Sequence, residues 1–133
     1  MKKAFSKQQQ GKAAHRLGHR AESLCRFALQ LKLYRIIEMR YKTSMGEIDI
    51  IAARGRSLVF IEVKARNDNA SALQAVSTRQ QIRLSRAAMS FLAHHPHYAQ
   101  YNLRFDVMTI APWQWPRHIK HAFESKLSPT FWA

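Results

Sequence analysis

Residues Gly46 to Ala65, GEIDIIAARGRSLVFIEVKA, decide the fold. Two runs rich in Ile, Val and Phe, Gly46 to Ala53 and Leu58 to Ala65, flank Arg54-Gly55-Arg56-Ser57, which predicts a β-hairpin. A glycine at the first central position of a two-residue loop reaches the positive φ of a type II′ turn, so Gly55-Arg56 is the predicted corner. That corner fixes the register. Asp49 falls opposite Glu62 and Glu47 opposite Lys64, and the period-two alternation of a strand puts all four side chains on one face.

Directly opposed side chains have Cβ atoms ~4.5–5.5 Å apart, and two carboxylates that close repel unless a proton or a cation lies between them. Mg2+ prefers hard oxygen ligands and keeps several waters, so one or two carboxylates plus substrate phosphate oxygens complete its octahedron. The pattern points to metal-assisted phosphodiester hydrolysis, with Asp49 and Glu62 holding the ion. The Lys64 ammonium would orient the nucleophile or neutralise charge in the transition state. The alternative is a solvated sheet face with each acid paired to an arginine. Against it, the chain has only 8 acidic residues, and Glu47, Asp49 and Glu62 all fall on this face beside a lysine.

Outward from the hairpin, Leu17, Ala21, Leu24, Ala28 and Leu31 recur at alternating spacings of four and three, predicting an amphipathic helix from about Gly11 to Leu31 with Glu22 at the edge of its apolar stripe. Leu33 to Tyr41 reads as a strand. Beyond a polar loop at Asn67 to Ser71, Ser77, Gln81, Leu84, Ala88 and Phe91 share a face of a second helix from about Ala75 to Ala93, which His94-His95-Pro96 ends. Leu103 to Ile110 forms another strand, and a short element is expected at His118 to Phe123. Helix, three strands, helix, strand is the order of an α/β domain with a mixed central sheet flanked by helices.

At 133 residues and 47% hydrophobic composition the chain suits a single domain, here residues 11–123, with a flexible basic arm at 1–10 and a tail at 124–133. Cys25 is the only cysteine, which excludes an intramolecular disulfide and agrees with a reducing, cytoplasmic compartment. No apolar segment reads as a signal peptide or reaches membrane-spanning length. Lys and Arg number 22, giving a net charge of +14, and such an excess on a short chain implies a polyanionic partner, nucleic acid before a membrane surface. Arg54, Arg56, Arg66, Arg79, Arg83 and Arg86, after the strands and along the second helix, are the expected phosphate contacts.

Asp49 followed by Glu62-Val63-Lys64 resembles the Asp…Glu-x-Lys signature of the PD-(D/E)XK, or restriction-endonuclease-like, nucleases. More narrowly, Gly18, Ala21-Glu22, Gly46-Glu47-Ile48-Asp49, Phe60-Ile61-Glu62-Val63-Lys64, Arg104-Phe105-Asp106-Val107 and His118-Ile119 with Ala122-Phe123 look like the uncharacterised bacterial YraN family, which is similar to archaeal Holliday-junction resolvases. The likeness spans roughly Gly11 to Phe123. It implies an αβββαβ core, a helix-borne Glu22 ligating the metal or its water, Asp49 and Glu62 as metal ligands, and Lys64 as the catalytic cation. It further implies Mg2+ or Mn2+ as cofactor, DNA as substrate, branched or structured DNA in particular, and a homodimer.

Two positions depart from that pattern. Met45-Gly46-Glu47-Ile48 precedes Asp49 where many such nucleases carry proline, and Gln80-Gln81 stands where Lys-Gln is expected. Gln81 is then the helix residue expected to face the site, and Gln80 supplies no cation.

Asp106, mid-strand, reads as a supporting group ion-paired to an arginine across the sheet. His94, His95 and His97, with His118 and His121, lack the clustering of a zinc site. His15 and His19 share a helix face and suit a phosphate contact. Cys25 reads as a small buried hydrophobe. Trp113 and Trp115 could stack on unpaired bases, although packing is the commoner use of such rings. The leading expectation is a magnesium-dependent endodeoxyribonuclease. The rivals are a non-catalytic nucleic-acid-binding module and an interaction subunit docking through Trp113, Trp115, Phe131 and Trp132.

Overall fold

The computed structural model describes residues 20–65 and 76–125. The arm at 1–10, His15, Leu17, Gly18, His19, Arg66, Phe131 and Trp132 lie outside the described residues. Helix α1 (residues 20–31) is followed by β1 (Arg35–Thr43), β2 (Gly46–Arg54), β3 (Ser57–Ala65), α2 (Thr78–His94), a short 3-10 turn (Pro96–Tyr98), β4 (Asn102–Ile110) and β5 (Arg117–Phe123). The strands form one sheet in the order β1-β2-β3-β4-β5, antiparallel at every pairing except the parallel β3–β4 contact. This is an α/β fold with the αβββαβ order of a restriction-endonuclease-like core, extended by β5 at the edge. Among the described residues no helix is long and apolar enough to cross a membrane.

The hairpin adopts the expected register, with Ile50 opposite Ile61 through to Arg54 opposite Ser57. Gly55 takes φ +59 while Arg56 stays on the negative side, as a type II′ corner requires. The sheet is buried on both faces. Ile50, Ala52, Val59, Ile61 and Met108 pack with Cys25, Ala28, Leu29 and Tyr34 on the α1 side. Ile51, Ala53, Leu58, Phe60, Phe105 and Val107 pack with Leu84, Ala87, Ala88 and Phe91 of α2 on the other.

Ile48 joins the α2-side cluster although Ile50, two residues on, belongs to the α1 side. Met39 and Tyr41 of β1 divide in the same way, and between them Arg40 has φ +52. The alternation of both strands therefore breaks at the level of Asp49.

Several element edges differ from expectation for local reasons. The buried stripe of α1 runs through Ala21, Cys25, Ala28 and Leu29, while Leu31 is 61% exposed, because the same four-and-three spacing can be counted from Ala21 through Cys25. The helix ends in a Schellman arrangement, with the Leu33 amide donating to Gln30 O and the Tyr34 amide to Leu29 O. Leu33 takes the left-handed position (φ +69) that glycine usually marks, so β1 starts two residues later than its composition suggests. Ser77 is the N-cap of α2 rather than a member of its apolar face. Its Oγ accepts from the Gln80 amide (3.2 Å) while Gln80 Oε1 accepts from the Ser77 amide (3.4 Å).

Candidate active site

The β2–β3 backbone pairing ends at Ile50–Ile61, and side chains take over from there. Asp49 Oδ2 accepts the Val63 amide at 2.8 Å, closing the gap where a strand carbonyl would otherwise sit. On the regular alternation of β3, Glu62 follows Leu58 and Phe60 onto the α2 face. There Glu47, Asp49 and Glu62 line an open cleft of about 230 Å³ with Gly46 and with Gln80, Arg83 and Leu84 of α2. Gly46 allows this approach, since a Cβ at that position would stand 3.3 Å from both Cβ and O of Arg83.

Asp49 and Glu62 lie close enough together that each influences the other's protonation. Burial, together with the Asp49 charge, pushes the Glu62 carboxyl up to about 7 against the opposing pull of Lys64. Burial also raises Asp49, opposed by its bond to the Val63 amide. Both carboxyls are thus raised by burial in each other's neighbourhood, an arrangement that a bound cation would relieve. Lys64 Nζ stands 3.2 Å from Glu62 Oε1, and both side chains are largely buried.

Glu22 reaches the same region from α1. Burial raises its carboxyl, the nearby Asp49 charge adds to the rise, and Arg40 counters it. Arg40 Nη1 lies 3.6 Å from Glu22 Oε2, too far for a hydrogen bond, so that oxygen is a buried acceptor with no hydrogen-bond partner. Among the described residues no three His, Cys, Asp or Glu side chains converge closely enough to form a metal-ligand set. The donors present fit a hard divalent cation nonetheless. Asp49 and Glu62 line one cleft, and Glu22 Oε2, on a carboxyl close enough to Asp49 to feel its charge, is a buried oxygen without a hydrogen-bond partner.

Of the two glutamines at the start of α2, Gln80 lines the cleft. Gln81 turns back, its Nε2 donating to Val76 O at 3.0 Å, with Oε1 buried and without a hydrogen-bond partner. Arg83 is on the cleft wall, and Arg79 and Arg86 are exposed on the same helix. Arg54 and Arg56 sit at the far end of the hairpin from the carboxylates. Arg54 stacks on the Tyr34 ring (4.4 Å to its centroid) and donates to Lys32 O.

Asp106 lies on the α1 side of the sheet, fully buried, and its arginine partner is not across the sheet but two residues back on its own strand. Arg104 donates from Nε (2.9 and 3.2 Å) and Nη2 (2.8 Å), His118 Nε2 lies at 2.6 Å, and the His121 amide donates at 3.1 Å. Burial alone would raise this carboxyl, but the hydrogen bonds from His118 and Arg104 outweigh it and hold it below its ordinary value. Cys25 is buried and its thiol is pushed up to about 12 by burial, which leaves it a packing group.

Sequence reasoning missed Arg40 and the place of Gln80. For Gln80 a signal existed, since Ser77-Thr-Arg-Gln80 spells a capping box that places Gln80 on the first turn of α2. Arg40 becomes visible only once the β1–β2 register sets it level with Asp49, between the Met39–Ile50 and Tyr41–Ile48 pairs.

Residues 21–110 match the uncharacterised protein family UPF0102. A UPF0102 protein of Parvibaculum lavamentivorans is 50% identical over 113 residues, covering 85% of each chain. One from Mesorhizobium japonicum is 44% identical over 110 residues, 83% of this chain and 88% of the relative. A third, from Bartonella tribocorum, is 44% identical over 125 residues, 94% and 95% of the two chains. With its central region matched and relatives aligned along most of their length, the chain belongs to the UPF0102 family.

Proposed function

We propose that the protein is a cytoplasmic, divalent-metal-dependent endonuclease that hydrolyses phosphodiester bonds in DNA. The observation that supports this reading best is the Asp49–Glu62 pair, two part-buried carboxyls lining one open cleft, both raised by burial, in a chain with net charge +14. A solvated acidic face would have no reason to bury both acids against each other at the cost of desolvation.

Asp49 and Glu62 would hold Mg2+ or Mn2+, with Glu22 Oε2 as the neighbouring donor to the ion or its water. When bound, such an ion polarises the phosphodiester and lowers the pKa of water. The protein's own part is positional. The bond between Asp49 and the Val63 amide fixes one carboxylate, the sheet fixes the other, and Arg83 on the opposite wall is placed to meet a phosphate oxygen. Lys64, anchored at Glu62, is set to orient an attacking water and offset charge on the phosphorane-like transition state. Arg79 and Arg86 extend the phosphate-binding surface along α2.

The test is cleavage of linear, flapped, single-stranded and four-way DNA with Mg2+ or Mn2+, run beside Asp49→Ala and Lys64→Ala. The reading expects divalent-dependent cleavage of at least one substrate, abolished by Asp49→Ala and reduced roughly 100- to 1,000-fold by Lys64→Ala. Binding without cleavage of any substrate would leave a nucleic-acid-binding module instead.

A further inference from the structure

The loop Pro112-Trp113-Gln114-Trp115-Pro116 between β4 and β5 is absorbed by none of the chemistry above. It is pinned at both ends, because Ala111 and Pro116 are buried and the Gln114 amide donates to Ala111 O at 3.3 Å. From this fixed base Trp113 is fully exposed (103%), held outward by a left-handed backbone (φ +61) that an L residue rarely adopts. Trp115 is 54% exposed and meets the Phe27 ring of α1 edge-on, with centroids 6.3 Å apart. Two large rings are thus presented to solvent on a rigid support, where a packing role would have buried them.

The surroundings of the rings say what they face. Residues 23–37, which carry Phe27, contain no Asp or Glu, and neither do residues 107–123, which carry the loop. Arg26, Lys32, Arg117 and Lys120 from these two segments are exposed. An aromatic ledge flanked by exposed cations matches a strand of nucleic acid whose bases are unpaired. The rings take base faces while the cations take the phosphates, and paired bases offer no free face to stack on.

Position links the ledge to the proposed cleft. Glu62 pairs with Val107 across the parallel β3–β4 contact, and Trp113 lies six residues further on, within ~20 Å along the strand direction, so a strand entering the cleft on the α2 face would pass the sheet's end to reach a ledge that meets α1. On α1, Glu22, whose carboxyl feels the Asp49 charge, and Phe27 are five residues or ~7.5 Å apart along the axis.

We propose that Trp113 and Trp115 form a stacking platform for unpaired bases, so that the preferred substrate is a nucleic acid with a single-stranded segment beside the scissile phosphodiester. The substrate preference rests on the nuclease reading above, whereas the binding site itself does not.

The test measures binding in EDTA, by fluorescence anisotropy, of a short labelled oligothymidylate and a duplex of equal length to the full chain. Trp113→Ala, which removes a side chain with no packing role, is expected to weaken oligothymidylate binding by roughly 5- to 100-fold, and duplex binding by less than about twofold. Trp113→Phe is expected to restore most of the loss. Equal affinity of wild type and Trp113→Ala for oligothymidylate would overturn the platform. So would a concentration-dependent dimer in sedimentation that Trp113→Ala dissolves without touching oligothymidylate binding, since the rings would then be a self-interface. Cleavage assays with a divalent ion separate the two readings. Trp113-dependent binding without cleavage on any substrate sinks the nuclease and leaves the platform, and cleavage indifferent to Trp113→Ala with unchanged single-strand binding does the reverse.

Discussion

Asp49 Oδ2 accepts the backbone amide of Val63 at 2.8 Å, one step beyond the last β2–β3 backbone pair. A carboxylate therefore serves both as a strand pairing and as half of the acidic pair in the cleft. The two duties can be separated. Asp49→Asn keeps a carbonyl acceptor for the Val63 amide, whereas Asp49→Ala leaves that part-buried donor unsatisfied. Chemical denaturation should find the alanine variant less stable than the asparagine variant by about 1–3 kcal/mol, while both lose divalent-dependent cleavage.

The raised Glu62 carboxyl gives stability a pH dependence of definite sign. Glu62 is raised to about 7 from an ordinary 4.5, so the folded state binds the proton more tightly than the unfolded chain. This contribution is fully present below about 4.5 and is lost as pH climbs through about 7. Melting temperatures across this range should fall with rising pH, and Glu62→Gln should flatten the curve and be the more stable protein above neutrality. A flat wild-type profile would contradict the raised Glu62 carboxyl.

Mg2+ and the proton compete for the same oxygens in the proposed site. Mg2+ should therefore raise the melting temperature above neutrality and do so progressively less as pH drops below about 7. Asp49→Asn should abolish the increment. This readout does not depend on any substrate being found.

Asp106 answers to a different experiment. Its carboxylate satisfies Arg104, His118 and the His121 amide on the α1 side of the sheet, away from the cleft. Asp106→Ala strands a largely buried guanidinium and should cost about 3–5 kcal/mol in urea unfolding. The folded fraction should keep its divalent affinity, whereas a direct role for Asp106 in metal binding would remove it.

Gly46→Ala tests the seam between β2 and α2. The new methyl would stand 3.3 Å from Arg83 Cβ and O, so strand and helix must part slightly, at a cost of about 1–3 kcal/mol. Glu47 and Arg83 border the same gap, so cleavage should fall with stability.

Much of this was legible from residues 46–65 alone. A glycine at a two-residue corner determines which residues oppose each other, and the predicted register holds from Arg54–Ser57 to Ile50–Ile61; beyond it the backbone pairing stops, and Asp49 reaches the Val63 amide with its side chain. What escaped was set by contacts between distant segments. Leu33 occupies a helix terminus that composition assigns to glycine, and the rotation of α1 about its axis depends on which of two equally spaced stripes finds the sheet. Asp106 chose a partner on its own strand because Arg104 and Asp106 project to the same face, where His118 of β5 closes the group. That β5 pairs beside β4 at all is concealed by the prolines and tryptophans preceding it.

The tight corner at Gly55 also bears on how the chain reaches its native state. β2 and β3 meet through a loop of two residues, but β3 finds its parallel neighbour β4 only after α2 has been traversed. Short-range pairings assemble sooner than long-range ones, so the hairpin is expected to bring the two acids near each other before β4 joins the sheet. Their mutual repulsion then weighs on the folding nucleus. In a chevron, alkaline conditions should slow the refolding limb and leave the unfolding limb nearly untouched.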